Sequence, residues 1–140
     1  MTVLAGLALG WVWPVGAEHL LPAPLRYGLG GGVIAFAVNF LGFRSVRAMR
    51  RSGQSENPYR TTTEILQTGP FAITRNPMYL QMVLVCFGFA VLLGNLWILL
   101  LTPFCAILLQ VLVIYPEERY LERKFGDAYL DYKRRVRRWI

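Results

Sequence analysis

The chain has 140 residues, of which 55% are hydrophobic and 16% charged, with a formal net charge of +7. That length is one domain, residues 1–140, and its apolar residues are bunched where a soluble domain of this size would alternate them, which excludes an ordinary water-soluble globule. Charges are almost absent from residues 1–43 and 76–116 and crowd into 44–75 and 117–138, the distribution of a membrane protein whose charged parts lie outside the bilayer.

The first apolar run, about residues 3–17, is short and contains Pro14, with Trp11 and Trp13 suited to an interface. Val15-Gly16-Ala17 has the small residues of a cleavage site, but no positive charge precedes the run, which argues against a signal peptide. His19 follows beside Glu18 with no ligand cluster around it, and no metal site is expected. The second run, 25–43, contains Gly28 to Gly32. With no strand before them these glycines are not a phosphate loop, and Gly28 and Gly32, four apart, predict close helix packing.

The third run, 78–93, and the fourth, 96–115, are separated only by Gly94-Asn95, which predicts a tight helical hairpin. Cys86 and Cys105 within them are packing residues. Asn39 and Gln110 are polar residues inside apolar runs and are expected to hydrogen-bond between helices. The fold class is therefore all-α: an integral membrane bundle of about four transmembrane helices, with a cytosolic loop 44–77 and a cytosolic tail 116–140.

Orientation follows from the basic residues, which are retained on the cytoplasmic side. Arg44, Arg47, Arg50, Arg51, Arg60 and Arg75 flank the loop, and Arg119, Arg123, Lys124, Lys133, Arg134, Arg135, Arg137 and Arg138 follow the fourth run. Both termini then face the cytoplasm of, as expected, a bacterial inner membrane. The basic excess serves orientation and attraction to anionic headgroups; no nucleic-acid partner is expected, and oligomeric state is not legible.

The loop is punctuated by Gly53, Asn57-Pro58 and Gly69-Pro70, so its backbone donors are not consumed by a helix. Asn76-Pro77 starts the third run with Arg75 beside it, a helix start able to hold an anion. Pro116 is expected to begin a new helix with Glu117 and Glu118 in its first turn. Those acids either stabilise that helix start or form a site for a cofactor's cation. In the tail, Tyr120, Leu121, Phe125, Tyr129 and Tyr132 recur at helical intervals around Gly126, which predicts an interfacial helix or helix pair.

Together, GPFAITRNPMYL and EERYLERKFGDAYLDYKRRV resemble the isoprenylcysteine carboxyl methyltransferase and phospholipid methyltransferase superfamily, over about residues 58–138. The resemblance implies S-adenosylmethionine as cofactor, contacted by Gly69, Pro70, Arg75, Asn76, Pro77, Tyr79 and Leu80 from the first motif and by Glu117 and Glu118 from the second. Thr63, Ile65 and Leu66 fall where the family adds a polar side chain and backbone contacts. Arg75 and Glu118 are the implied catalytic residues, and Arg134 and Arg135 would assist an anionic substrate. The implied acceptor is a lipophilic small molecule or lipidated substrate entering from the membrane lipids, such as an isoprenylcysteine-like carboxylate or a phospholipid amine. Asn76 stands in place of the histidine of isoprenylcysteine enzymes, Thr63 where those enzymes tend to have histidine, and Gln81 replaces a glycine usual after Tyr-Leu; these departures bear on the substrate more than on the cofactor. Two alternatives remain open at this point: an NADPH-dependent sterol-type reductase, whose 2′-phosphate the tail arginines would hold, and a non-catalytic membrane scaffold.

Overall fold

Prolines set where two of the helices begin. Pro24 and Pro77 occupy first-turn positions of α2 (Ala23–Phe36) and α4 (Pro77–Leu93), where a missing N–H costs nothing and the ring's fixed φ suits the helix. In the computed structural model, which describes residues 1–13, 21–52 and 64–140, the other helices are α1 (Thr2–Val12), α3 (Arg44–Arg51), α5 (Leu96–Leu109), α6 (Tyr115–Phe125) and α7 (Asp127–Arg135). The described residues hold no strand, only an isolated bridge between Thr74 and Arg137, so the expected all-α class is what is observed. Pro14, residues 15–17, Glu18, His19, Gly53, Asn57, Pro58, Arg60 and Thr63 lie outside the described residues.

Two helical runs are long and apolar enough to cross a membrane, Ala23–Arg51 with 29 residues and Leu96–Phe125 with 30. The apolar helices α1 and α4 are shorter, at 11 and 17 residues. At 1.5 Å per residue they reach about 16 and 26 Å, against a hydrocarbon core of about 30 Å.

Both long runs correct an expectation. The run from Ala23 does not end at Phe43: it passes through a π-helical segment, Ala37–Phe43, into α3. The loop expected from residue 44 therefore begins as helix, because residues 44–51 contain no Gly or Pro and are rich in helix-favouring Arg, Ala and Met. Likewise Pro116 does not begin a fresh helix. A proline within a helix removes one N–H and crowds the carbonyl four residues back, here that of Leu112. The π-helical turns of Gln110–Ile114, directly before α6, absorb that misfit and let the helix run on. Glu117 and Glu118 thus sit in a continuing helix, and stabilising a free helix start does not explain them.

α4 is the central helix, with α2 and the Ala37–Phe43 segment along one side and α5 along the other, while α1 packs on α5. The closest approach is glycine-mediated, but not through the pair expected from spacing. A Cβ at Gly30 would lie 2.7 Å from the carbonyl oxygen of Gly88, whereas Gly28 and Gly32 have nothing within 4 Å. Spacing alone does not fix which glycine of the cluster faces α4. Gln81 packs against Gly42 of the π-helical segment, where an added Cβ would meet it at 2.9 Å.

The expected hairpin between α4 and α5 is present. Gly94 takes the left-handed conformation (φ 61°) that ends a helix, and the Asn95 side chain accepts from the Ile98 N–H at 3.0 Å to start the next. Neither polar residue inside the long runs bonds between the apolar helices as expected. Asn39 donates to the Ala35 carbonyl of its own helix. Gln110 donates to Tyr115 on the same run and accepts from Trp139 near the C-terminus. Leu4, Phe36, Phe87, Leu100, Phe104, Ile107 and Leu112 are exposed around the apolar helices, a surface that suits lipid and not water.

Candidate active site

At one end of the apolar helices the chain reverses twice and brings four segments together. Gly69, at φ 62°, lets the chain turn into the short 3-10 helix Gly69–Ala72 that precedes Thr74–Asn76 and α4. Gly126, at φ 54°, turns α7 back toward α6, and an ion pair between Lys133 and Glu122 spans that turn. Beyond α7, residues 136–140 lie alongside Thr74–Asn76 as a strap. The Arg137 carbonyl accepts from the Arg75 N–H at 2.9 Å, and the Arg138 carbonyl accepts from the Thr74 hydroxyl at 3.0 Å and the Asn76 amide at 3.1 Å. The Tyr132 hydroxyl donates to the Phe71 carbonyl at 2.7 Å. Tyr129, Tyr132 and Val136 form a buried cluster backed by Ile65, Leu121 and Phe125.

These segments enclose a cleft of about 620 Å³, its open mouth included. Ile65, Leu66, Phe71 and Leu121 give it apolar walls; Glu64, Arg75, Asn76, Glu117, Glu118 and the two tyrosines give it polar ones. The side chains of Arg75 and Glu118 are 7% and 6% exposed, with Nη1 and Oε1 3.2 Å apart. Glu118 is held more firmly from the strap: Arg138 Nε donates to Oε1 at 3.0 Å and Nη2 to Oε2 at 2.8 Å, a bidentate fork. Toward Glu118, Arg75 is left in charge contact without an aligned bond, and its Nε and Nη1 are buried without a hydrogen-bond partner among the described residues. Buried guanidinium donors are rarely left so, because the desolvation they suffer goes uncompensated. Glu117 lies at the cleft mouth, open to solvent as a residue but with protein crowded around its carboxyl, which accepts from the Tyr79 hydroxyl at 3.0 Å.

The adjacent acids are driven apart electrostatically. The protein around Glu117 strips water from its carboxyl and, with the Glu118 charge, raises it above the ordinary range against the lowering pull of Tyr79. Burial acts on Glu118 in the same direction, but the Arg138 hydrogen bonds and the charges of Arg75, Arg138 and Lys133 outweigh it and hold that carboxyl below its ordinary value. The Glu118 hydrogen bonds raise Arg138 in turn. Burial and the Glu118 charge push the Tyr129 hydroxyl up to about 12, against the pull of Arg75, and burial raises Tyr132 as well. Both tyrosines therefore stay protonated hydrogen-bond donors at neutral pH.

Of the residues singled out in the sequence, Ile65, Leu66, Arg75, Asn76, Glu117 and Glu118 line the cleft. Tyr79 reaches it through Glu117. Pro70, Pro77 and Leu80 are buried and do not line it, and Gly69 lines a neighbouring groove with residues of α3. Arg134 and Arg135 do not come to the cleft: Arg134 is exposed and pairs with Asp131 at 3.2 Å, and Arg135 is exposed and bonds Gln67 at 2.8 Å. The helical register of α7 turns that pair outward while Tyr129 and Tyr132 point in, so the arginine delivered to the site is Arg138. Met49, Glu64, Phe71 and Arg138 carried no signal as site residues. Tyr129 and Tyr132, read from the sequence only as part of an interfacial helix or helix pair, also line the cleft.

A helical chain with membrane-length apolar runs, gathering a buried arginine and a buried glutamate at one end of them, belongs to the class of membrane proteins with a polar site beside the bilayer. The profile of the phospholipid methyltransferase family matches residues 25–128: the chain belongs to that family and is a membrane methyltransferase. It is also similar to an uncharacterized protein of Haemophilus influenzae, 40% identical over 63 residues, which are 45% of this chain and 100% of that protein. No solved structure matches.

Proposed function

We propose that the chain catalyses S-adenosylmethionine-dependent methyl transfer to a membrane-partitioned acceptor, such as an isoprenylcysteine-like carboxylate or a phospholipid amine. The observation that carries this reading is Arg75, whose buried Nε and Nη1 have no partner among the described residues in a cleft that also holds Glu117. Such a pairing of donor and acceptor fits the carboxylate and ammonium of an amino-acid group, so Arg75 would hold the former and Glu117 the latter. Ile65, Leu66, Phe71 and Leu121 offer apolar wall to a purine, and Asn76, Tyr129 and Tyr132 the hydrogen bonds. When bound, the cofactor's sulfonium supplies an electrophilic methyl group for in-line displacement by the acceptor.

The protein's own part is alignment and exclusion of water, and orientation of this kind is worth about 7–11 kcal/mol. Arg75 is fixed by its backbone bond to Arg137 and by the Glu118 charge; Glu118 acts as the anion that balances the two arginines. In this reading the whole chain is one membrane domain with four apolar helices in the bilayer, α1 entering it only partly, and both termini on the cytoplasmic face of a bacterial inner membrane. The acceptor reaches the cleft from the lipid side. The experiment is methyl transfer from tritiated S-adenosylmethionine in nanodiscs of bacterial lipid, counting label extracted into organic solvent. Label in the organic phase that disappears with Arg75→Ala supports the reading; none from folded wild-type protein opposes it.

A further inference from the structure

We propose that Arg138, which lies beyond the matched family region, is a positioning residue that keeps Arg75 available to a ligand by occupying both oxygens of Glu118. The proposal rests on the methyl-transfer reading for the identity of that ligand, and on geometry for the rest. Two arginines converge on Glu118: Arg75, which lines the cleft with it, and Arg138, which reaches it from the strap. An arginine and a carboxylate alone, buried together, close into a fork of two parallel hydrogen bonds. Here Glu118 makes that fork with Arg138, at 2.8 and 3.0 Å, and not with Arg75. Arg75 stands 3.2 Å from Oε1, with Nη1 not aligned for a hydrogen bond and Nε likewise unpaired.

The strap is built to deliver this competitor. Hydrogen bonds from the Arg75 N–H to the Arg137 carbonyl, and from the Thr74 hydroxyl and the Asn76 side-chain amide to the Arg138 carbonyl, fix the strap beside the turn that carries Arg75. Trp139 anchors its far side by donating to Gln110 at 2.8 Å, and the Arg138 guanidinium lies over the Tyr115 ring, 4.7 Å from its centre. None of the strap's backbone bonds uses the Arg138 side chain. Replacing that side chain therefore leaves the strap in place and frees Glu118 to turn onto Arg75.

The test is S-adenosylhomocysteine affinity, by calorimetry on the full chain in detergent, for wild type, Arg138→Gln, Arg138→Lys and the double variant Arg138→Gln/Glu118→Gln. Arg138→Gln is expected to weaken binding about tenfold, the loss of roughly one charge-assisted hydrogen bond. Arg138→Lys, which engages one carboxylate oxygen, falls between. The double variant binds at least about threefold tighter than Arg138→Gln alone, because the carboxylate that captured Arg75 is gone. A purely structural Arg138 gives no such rescue, and a double variant no tighter than Arg138→Gln overturns the proposal.

A second measurement needs no ligand and so separates this proposal from the methyl-transfer reading. The coupling between Arg75→Ala and Glu118→Gln in thermal unfolding is expected to be larger in the Arg138→Gln background than in wild type. Equal coupling in both backgrounds overturns the proposal whatever the protein binds.

Discussion

Replacing Arg75 by lysine keeps the positive charge beside Glu118 and removes the planar fork. In the native cleft two guanidinium donors, Nε and Nη1, are buried without partners among the described residues. Nε and Nη1 lie on opposite edges of the guanidinium, so a bound carboxylate takes its fork on the Nε edge, with Nη2, and gains two charge-assisted hydrogen bonds, each worth about 1.5–3 kcal/mol net. Lysine supplies one of them as a point charge. The expected loss is therefore about 2 kcal/mol, or about 30-fold in the affinity for S-adenosylhomocysteine. Arg75→Ala forfeits both bonds and the charge, about 4 kcal/mol or about 1,000-fold. The assay is calorimetry in detergent, run in parallel with the analogue of adenosylhomocysteine that lacks the α-carboxylate. The analogue is expected to bind wild type and Arg75→Lys alike. Equal weakening of both ligands, or of neither, would falsify the assignment of the free Arg75 donors to a carboxylate.

Gly30→Leu is expected to force α2 off α4 and cost about 1–3 kcal/mol or more, read as a lowered melting temperature, because an added Cβ already meets Gly88 and Leu92 at 2.7 Å; Gly28→Ala, with nothing within 4 Å, leaves melting unchanged. Gly126→Ala places a side chain at φ 54°, ψ −129° and is expected to lower stability by about 1–3 kcal/mol, loosening α7 and the strap together. Glu118, held below its ordinary carboxyl value, contributes stability that is fully present above the unfolded value of about 4.3 and is lost as pH falls through the lower folded value. Melting followed from pH 8 downward should therefore fall less steeply at the acid end in Glu118→Gln than in wild type, and an identical acid limb in the two would count against the ion-paired Glu118. A double-mutant cycle on Tyr79→Phe and Glu117→Gln should give a coupling of about 1 kcal/mol in adenosylhomocysteine binding, and strict additivity would remove Tyr79 from the site.

How far the sequence could be read follows from the range of each signal. The α4–α5 hairpin is visible because Gly94-Asn95 acts within two residues, one as a left-handed cap and the next as an N-cap. The turn into the cleft is visible for the same reason, in Gly69-Pro70 and Asn76-Pro77. Helix continuity at Pro116 is hidden, since the π-helical turns that accommodate the proline arise from packing and have no composition of their own. The choice of Gly30 over Gly28 and Gly32 is hidden too, because it depends on the face that α2 turns toward Gly88. Least legible is the strap. Arg138 meets Glu118 across 20 residues and Thr74 across 64, and a run of arginines offers no local reason to prefer it over Arg134 or Arg135. The motifs therefore led to the cleft, and only the reversal at Gly126 identified the arginine that completes it.

The most direct test of the central claim is calorimetric titration of the detergent-purified chain with S-adenosylhomocysteine and, separately, with NADPH. The account predicts saturable adenosylhomocysteine binding that weakens in Arg75→Ala, with no heat from NADPH. NADPH binding without adenosylhomocysteine binding would contradict it and assign the cleft to a reductase.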